Sequence, residues 1–429
     1  MSITRRQFIK RNAVGMASAS LLLPELFLSR AYGQAAPNPD RKILVVIQLD
    51  GGNDGLNTVI PYTDSRYYAL RPNLSFKESE LKDAQGQSTI ISDRFGLHPS
   101  MGGLKGLYDA GRVAIVLGAG DTMLPSGSHF SSRDVMHTAS LDGNTKGEGW
   151  LGRYLSQTLA EKTGVRALAI GGGLTKSFDA SRAIAAAVPN FEAYNFKTDP
   201  LYPGNANNQL NAFRACNGES FAEGSFAGSI ARMGVEAAGT ASKINSAPSR
   251  YRSTVVYPTG SNIADRFKMI AQIILAVEEA ELFHIQFGFF DHHGRQIPAD
   301  RNKLAGDHAV QLKELCDAVK PFYNDMAEHG LADNVTLMTW SEFGRTAREN
   351  GSLGTDHGSS SVMFVIGNAV RGGLYGQQPS LESADLDAAT NPKTHVDFRS
   401  VYATILDGWL GVDSVSILGR RFEDVGFFG

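Results

Sequence analysis

Residues Lys42 to Gly55 read KILVVIQLDGGNDG. Six apolar or β-branched positions in the eight of Lys42–Leu49 are too short a run for a helix to bury. They suit a strand covered on both faces, as in a parallel sheet. The run stops at Asp50, and the glycines that follow permit a sharp turn at the strand's carboxyl end. In open α/β sheets that end is where ligands bind. Five further runs have the same character: Arg112–Gly118 (RVAIVLG), Val165–Ile170, Glu281–Phe290 (ELFHIQFGFF), Asn334–Trp340 and Val362–Gly367 (VMFVIG). Between them lie helical patterns at Ile263–Ala280, Asn302–Glu328 (expected to break at Pro321) and Arg399–Leu410. Alternation of this kind predicts an α/β/α sandwich with a mostly parallel central sheet.

The 429 residues suffice for one large domain or two ordinary ones. With 42% hydrophobic and 20% charged residues the chain is neither a disordered tail nor a multi-span membrane protein. Two cysteines exclude a disulfide scaffold, and Cys216 and Cys316 read equally well as a pair or as two buried thiols. A formal charge of −3 gives no reason to propose nucleic acid as a partner. The stretch from about 171 to 260 is rich in Gly, Asn, Ala and Ser, with weak periodicity. It reads as an inserted cap region within a single domain spanning 36–429.

The N-terminal segment is an address. Thr4-Arg5-Arg6-Gln7-Phe8-Ile9-Lys10 followed by an apolar stretch and Ala31-Tyr32-Gly33-Gln34-Ala35 resembles a twin-arginine signal with a cleavage site. Residues 1–35 are therefore expected to engage the twin-arginine export machinery and be removed, leaving a periplasmic or secreted protein. Pro24 and Glu25 interrupt the apolar run, so no stable membrane span is expected. Export after folding also suits a protein loaded with metal in the cytoplasm.

Polar groups with metal-binding chemistry gather at the strand ends. Asp50 follows the first strand, Asp291-His292-His293 the fourth and Glu342 the fifth, while Asp356-His357 stands just before the sixth. Carboxylates and imidazoles without nearby cysteine suit a divalent metal ion such as Zn, Mn, Mg or Ca. Each also has a plainer reading: a turn residue, a surface loop histidine, a salt bridge between Glu342 and Arg345, a turn cap. Ser128, in SGSHFSSR (126–133), opens a helix after the second strand. It is either an N-cap or a nucleophile where a helix terminus favours an anionic ester.

The stretches LDGGNDGLNTVIPY (49–62), SHFSSRD (128–134), FFDHHGRQ (289–296), SEFGRT (341–346), GTDHGSSSVMFVIGNAVRGGLYG (354–376) and VDFRSVYATILDGWLG (396–411) together resemble the bacterial DUF1501 family. That family is similar to the alkaline phosphatase–sulfatase superfamily. The resemblance implies an alkaline-phosphatase-like fold, two neighbouring metal sites and a hydroxyl-type nucleophile. It aligns Asp50, Asp291 with His292 or His293, and His357 with metal ligands, Asp356 with a ligand or its support, and Ser128 with the nucleophile region. Arg345 would neutralise charge on the reacting group, or serve in a structural salt bridge.

The sequence departs from the superfamily pattern where Glu342-Phe343 replaces Asp-His, which removes one expected ligand. Arg295 stands where an Asp-x-x-x-His spacing would put histidine. Ser246-Ala247-Pro248-Ser249-Arg250 matches a sulfatase signature but lies in the insertion and reads as coincidence. Asp397 reads as the cap of the last helix and His395 as a loop residue. The function implied is an exported metal-dependent hydrolase of phosphate or sulfate esters, acting on a small-molecule or polysaccharide ester. A catalytically degraded metal- or glycan-binding envelope protein, or a transferase using the same chemistry, is the alternative.

Overall fold

In a computed structural model of the chain, β1 (Ile43–Leu49) is buried along its whole length. The structure describes residue 38 and residues 40–429 apart from 159–163, 182, 195–196, 219–220 and 222–224. The signal assigned to residues 1–35 lies outside the described residues. The other strands of the main sheet are β2 (Val113–Gly120), β3 (Ala167–Ile170), β4 (Ala185–Val188), β5 (Leu282–Phe287), β6 (Val335–Trp340), β7 (Ser361–Gly367), β8 (Gly373–Gly376) and β9 (Val396–Asp397). The sheet runs β8-β2-β7-β6-β1-β5-β3-β4, with β9 pairing onto β2. β1 pairs in parallel with β5 and β6, and β3 with β4 and β5. β7 alone runs against its neighbours, antiparallel to both β2 and β6.

Strand alternation divides the core into two layers. Ile43, Val45, Ile47 and Leu49 face one side, and Leu44 and Val46 face the other. Side chains of this size contribute about 1.5–3 kcal/mol each when fully buried. On the first side lie α1 (Gly102–Asp109), α6 (Asn262–Ala276) and α7 (Asp307–Glu328); on the second lie α2 (His129–Thr138), α3 (Trp150–Gln157) and α8 (Phe398–Ile405). The molecule is thus an α/β/α sandwich on a mostly parallel sheet. No helix among the described residues is long and apolar enough to cross a membrane.

Several local expectations meet the structure directly. Ser261 caps α6 by accepting from the Ala264 amide. Asp397 caps α8 through the Arg399 amide. Two expectations need correction. α7 runs unbroken through Pro321, because burying Cys316, Val319, Phe322 and Met326 outweighs one missing amide bond. Cys216 and Cys316 are free thiols, the first exposed and the second buried.

The stretch 171–260 is woven into the sandwich. It supplies edge strand β4, α4 (Ala206–Asn217) and α5 (Phe226–Arg250), and α5 packs on α6. The Ser246–Arg250 signature is the last part of α5.

The antiparallel course of β7 decides the site's position. Strands running with β1 end at one edge of the sheet, whereas β7 starts there. The residues before β7 therefore join those that follow β1, β5 and β6.

Candidate metal centre

Asp50 leaves β1 into Gly51 and Gly52, whose φ angles are 107° and 87°. A Cβ on Gly51 would stand 2.6 Å from the Asp291 amide, and one on Gly52 would strike the Phe343 ring. Only glycine lets the turn after β1 lie this close to the turn after β5.

Around Asp291 three imidazoles converge. His357 Nε2 lies 3.0 Å and His293 Nε2 3.1 Å from Asp291 Oδ1, and His129 Nε2 lies 3.4 Å from Oδ2. The two Nε2 atoms of His293 and His357 are 2.9 Å apart. Each ring is held from behind through Nδ1. His357 Nδ1 is 2.7 Å from the Gly127 carbonyl, which can only accept, so this nitrogen carries the proton. His129 Nδ1 meets Glu342 Oε1 at 2.9 Å, and His293 Nδ1 meets Asp356 Oδ1 at 2.9 Å. With all three Nδ1 atoms donating, every Nε2 presents a lone pair to the same place.

This arrangement fits a divalent metal ion. Lone pairs brought within about 3 Å of each other and of a carboxylate repel unless a cation lies among them. A tetrahedral zinc with bonds of about 2.0–2.1 Å has ligand–ligand edges of about 3.3 Å, close to the spacings observed. His129, Asp291 and His357 form a group of donor atoms lying mutually within 4.8 Å. His293 adds a fourth donor on the exposed side. Imidazole-rich sets favour zinc-like ions over magnesium and calcium, which prefer oxygen.

Asp291 is half-buried, and burial by itself raises its pKa. The Arg345 guanidinium, hydrogen-bonded to it and positively charged, overcomes that and holds it down at about 2. It is therefore anionic throughout the physiological range.

Beside this centre lies a second acidic pair already holding a cation. Arg133 Nη2 stands 2.9 Å from Asp50 Oδ1 and 3.3 Å from Glu342 Oε1. Gln48 Nε2 also donates to Asp50 at 2.9 Å, and the Gly51 amide to Glu342 at 2.9 Å. Glu342 Oε2 and Arg133 Nε are buried without a partner.

Several sequence candidates are reassigned by this geometry. Arg345 does not face a reacting group. It is buried and committed to the carbonyls of Gly51, Gly52, Phe290 and Thr355 and to Asp291. It clamps the two turns together, the structural role. His292 points away from its neighbour His293. Its ring lies among Phe290 and His308, its Nε2 is buried without a partner, and burial depresses its pKa to about 4. Glu342 and Asp356 contact imidazole Nδ1 atoms and so orient rings. Asp50 meets Gln48 and Arg133.

Phe343, where the superfamily pattern has histidine, is buried with its ring 4.9 Å from His129 and 4.4 Å from His357. It packs the imidazoles it cannot join. Ser128 is exposed at the N-cap of α2, and its hydroxyl makes no capping bond. Both its neighbours belong to the centre, Gly127 through its carbonyl and His129 through its ring.

His129 and Arg133 are the residues that sequence reading missed. Both lie in the quoted SHFSSRD stretch, four positions apart, and His137 follows four later. That spacing puts all three on one face of α2, a signal the sequence offered.

Comparison with solved structures returns distant likenesses. The C-terminal periplasmic domain of EcEptC from Escherichia coli, in complex with Zn, is 8% identical. The match covers 90% of this chain and 88% of that one at TM-score 0.40. The lipoteichoic acid synthase LtaP from Listeria monocytogenes is 9% identical over 94% and 80% at 0.35. A protein in the alkaline phosphatase superfamily from Vibrio parahaemolyticus is 11% identical over 92% and 77% at 0.38. No curated protein matches the chain. The family model described as "Protein of unknown function (DUF1501)" matches residues 41–420, and the chain belongs to that family.

Proposed function

We propose that this protein is an exported, divalent-metal-dependent enzyme that cleaves phosphate or sulfate esters. His129, Asp291, His293 and His357 would hold one metal ion, with zinc favoured by the donor set. The observation that carries the reading is the convergence of three Nε2 lone pairs on Asp291, each ring fixed through Nδ1. Glu342 and Asp356 orient two of those rings, and such supporting partners commonly matter 10–100-fold for metal affinity.

A metal ion held by these four residues would supply Lewis acidity toward the ester oxygens and the attacking hydroxyl. Ser128 is the proposed nucleophile. Its oxygen forms the new bond to phosphorus or sulfur, the bond to the leaving alcohol oxygen breaks, and the alcohol departs with a proton. Water then releases the group from Ser128. The free hydroxyl supports this assignment, because an N-cap serine that does not cap is spared for another task. The N-terminus of α2 favours the negative charge of the transferred group. Arg133, four residues along the same face, adds a fixed positive charge beside Asp50 and Glu342. An alcohol in place of water in the second step would make the same centre a transferase.

The twin-arginine signal read in residues 1–35 supplies the export route in this proposal. The test compares metal content and turnover of nitrophenyl phosphate and nitrophenyl sulfate for the wild type, His357→Ala and Ser128→Ala. Expected are one equivalent of metal in the wild type, loss of metal and turnover in His357→Ala, and retained metal with turnover at least a hundredfold lower in Ser128→Ala. A wild type that takes up no divalent ion refutes the reading. Bound metal with no turnover of either ester instead favours the metal-binding, catalytically degraded alternative.

A further inference from the structure

Next to the metal centre a cleft of about 660 Å³ opens along the carboxyl ends of β1, β3 and β5. Its volume lies within the range typical of ligand sites, about 300–1,000 Å³. Gln48 and Arg133 line it and also touch Asp50, so the cleft and the centre share a wall. Helix α2 links them: His129 faces Asp291, Arg133 stands between, and His137 lines the cleft.

Three buried polar atoms along this cleft have no partner: His284 Nε2, Gln311 Oε1 and Arg133 Nε. His284 is more than nine-tenths buried. Buried polar groups cost free energy unless hydrogen-bonded, so these await something. The remaining polar lining is largely uncharged, including Gln286 and Asn262. Burial depresses the pKa values of His137 and His284, so both imidazoles are neutral and can donate as well as accept.

The cationic groups of the cleft are engaged elsewhere. Arg133 meets Asp50 and Glu342. Lys176 meets Asp134 at 2.7 Å, and Arg266 donates to the carbonyls of Gln286 and Gly171. What remains open is neutral donors and acceptors together with the exposed carboxylate of Glu314, a lining that complements hydroxyl groups rather than a second anion. Phe289 adds a flat apolar surface, with 61% of the residue exposed, two positions before Asp291. Gly172 and Gly173 leave open space on the other wall, where a Cβ would meet nothing within 4 Å.

We propose that the cleft is a saccharide subsite. Amide and imidazole groups would bind sugar hydroxyls, and the Phe289 ring would take the C–H face of a pyranose. The subsite rests on the ester-cleaving reading of the neighbouring centre and names its substrate class: a glycan carrying a phosphate or sulfate ester, with the unreacted sugar seated in the cleft.

The test separates the two readings by using neutral sugars without any ester. Saturation-transfer NMR is run on the full chain after chelation, with cellotetraose, mannotetraose, galactotetraose and chitotetraose as separate probes. At least one is expected to bind in the millimolar range. Phe289→Ala and Gln286→Ala should each weaken that binding about tenfold or more, roughly 1.4 kcal/mol, without changing metal uptake or the thermal midpoint. No transfer to any of the four probes overturns the subsite. Binding that survives both substitutions also overturns it. Metal-dependent turnover of nitrophenyl esters alongside either result leaves the centre standing alone. Saccharide binding in a protein that takes up no metal keeps the subsite and removes the ester centre.

Discussion

Glu342→Gln and Asp356→Asn make a matched pair of perturbations. Each carboxylate accepts from a histidine Nδ1 at 2.9 Å, Glu342 from His129 and Asp356 from His293. Their surroundings differ. The Glu342 side chain is 0% exposed and that of Asp356 is 59% exposed. An electrostatic interaction at a given separation is about fourfold stronger at an effective dielectric of about 20 than in water-like surroundings. The net effect of losing a ligand-orienting partner is about 10–100-fold in metal affinity, or about 1.4–2.7 kcal/mol. Glu342→Gln is expected to reach that range. Scaled by the ratio of the two environments, and with solvent screening the exposed pair, Asp356→Asn should cost about two- to threefold. Both substitutions keep the side chain's shape, so folding should hold. Zinc affinity is read by competition with a chromophoric chelator, beside a thermal melt of each metal-free variant. Equal losses for the two variants, or no loss for Glu342→Gln, would refute the claim that buried Glu342 sets the orientation and basicity of His129.

Arg133→Ala removes the cation between Asp50 and Glu342, and the variant is expected to take up a second divalent ion that elemental analysis of the wild type does not show. Unchanged stoichiometry would mean that the acidic pair cannot hold a metal. Arg71→Met breaks a pair with Asp54 that is 0% and 2% exposed, and it also strips donors from Asn57 and from the Thr346 and Ala347 carbonyls. Loss of a buried partner of this kind costs about 3–5 kcal/mol; a shift below about 1 kcal/mol in urea denaturation would refute that weight. Acid should destabilise the fold through its buried histidines. Burial is the first cause that depresses His98 and His137 to about 3 and His292 to about 4. The unfolded chain then takes protons first: the contribution is full above the ordinary value of about 6.5 and is lost as pH falls from there toward 3–4. His329 has the opposite sign, because its bonds to Asp325 overcome burial and raise its pKa, so its contribution is lost as pH rises. A thermal midpoint that falls steadily below pH 6 is expected from the three; a flat profile to pH 4 would refute it.

Much of this molecule is legible in its sequence. The six apolar runs become strands within a few residues of their expected limits, because a strand buried on both faces has to be apolar at nearly every position. Asp50, Asp291 and Glu342 sit at the sheet's carboxyl edge because a parallel strand places its last residues there. Those inferences use only neighbours along the chain. The sequence also carried the four-residue spacing of His129, Arg133 and His137, but spacing alone does not say which way a helix face looks.

Contacts between distant segments decided the rest. The doublet His292-His293 offers two equal rings; successive side chains diverge, and packing sends His292 inward against His308 while His293 meets Asp356 and His357. Arg345 looked available for substrate until the fold wrapped four carbonyls around it. Phe343 looked like a lost ligand and became the surface on which two ligand rings rest. His357 stands before its strand rather than after it, so its place at the same edge depends on β7 running antiparallel between β2 and β6. Strand direction is fixed by pairing with segments beyond the strand itself, β6 close by in the chain and β2 far from it, and no local pattern of side chains encodes it.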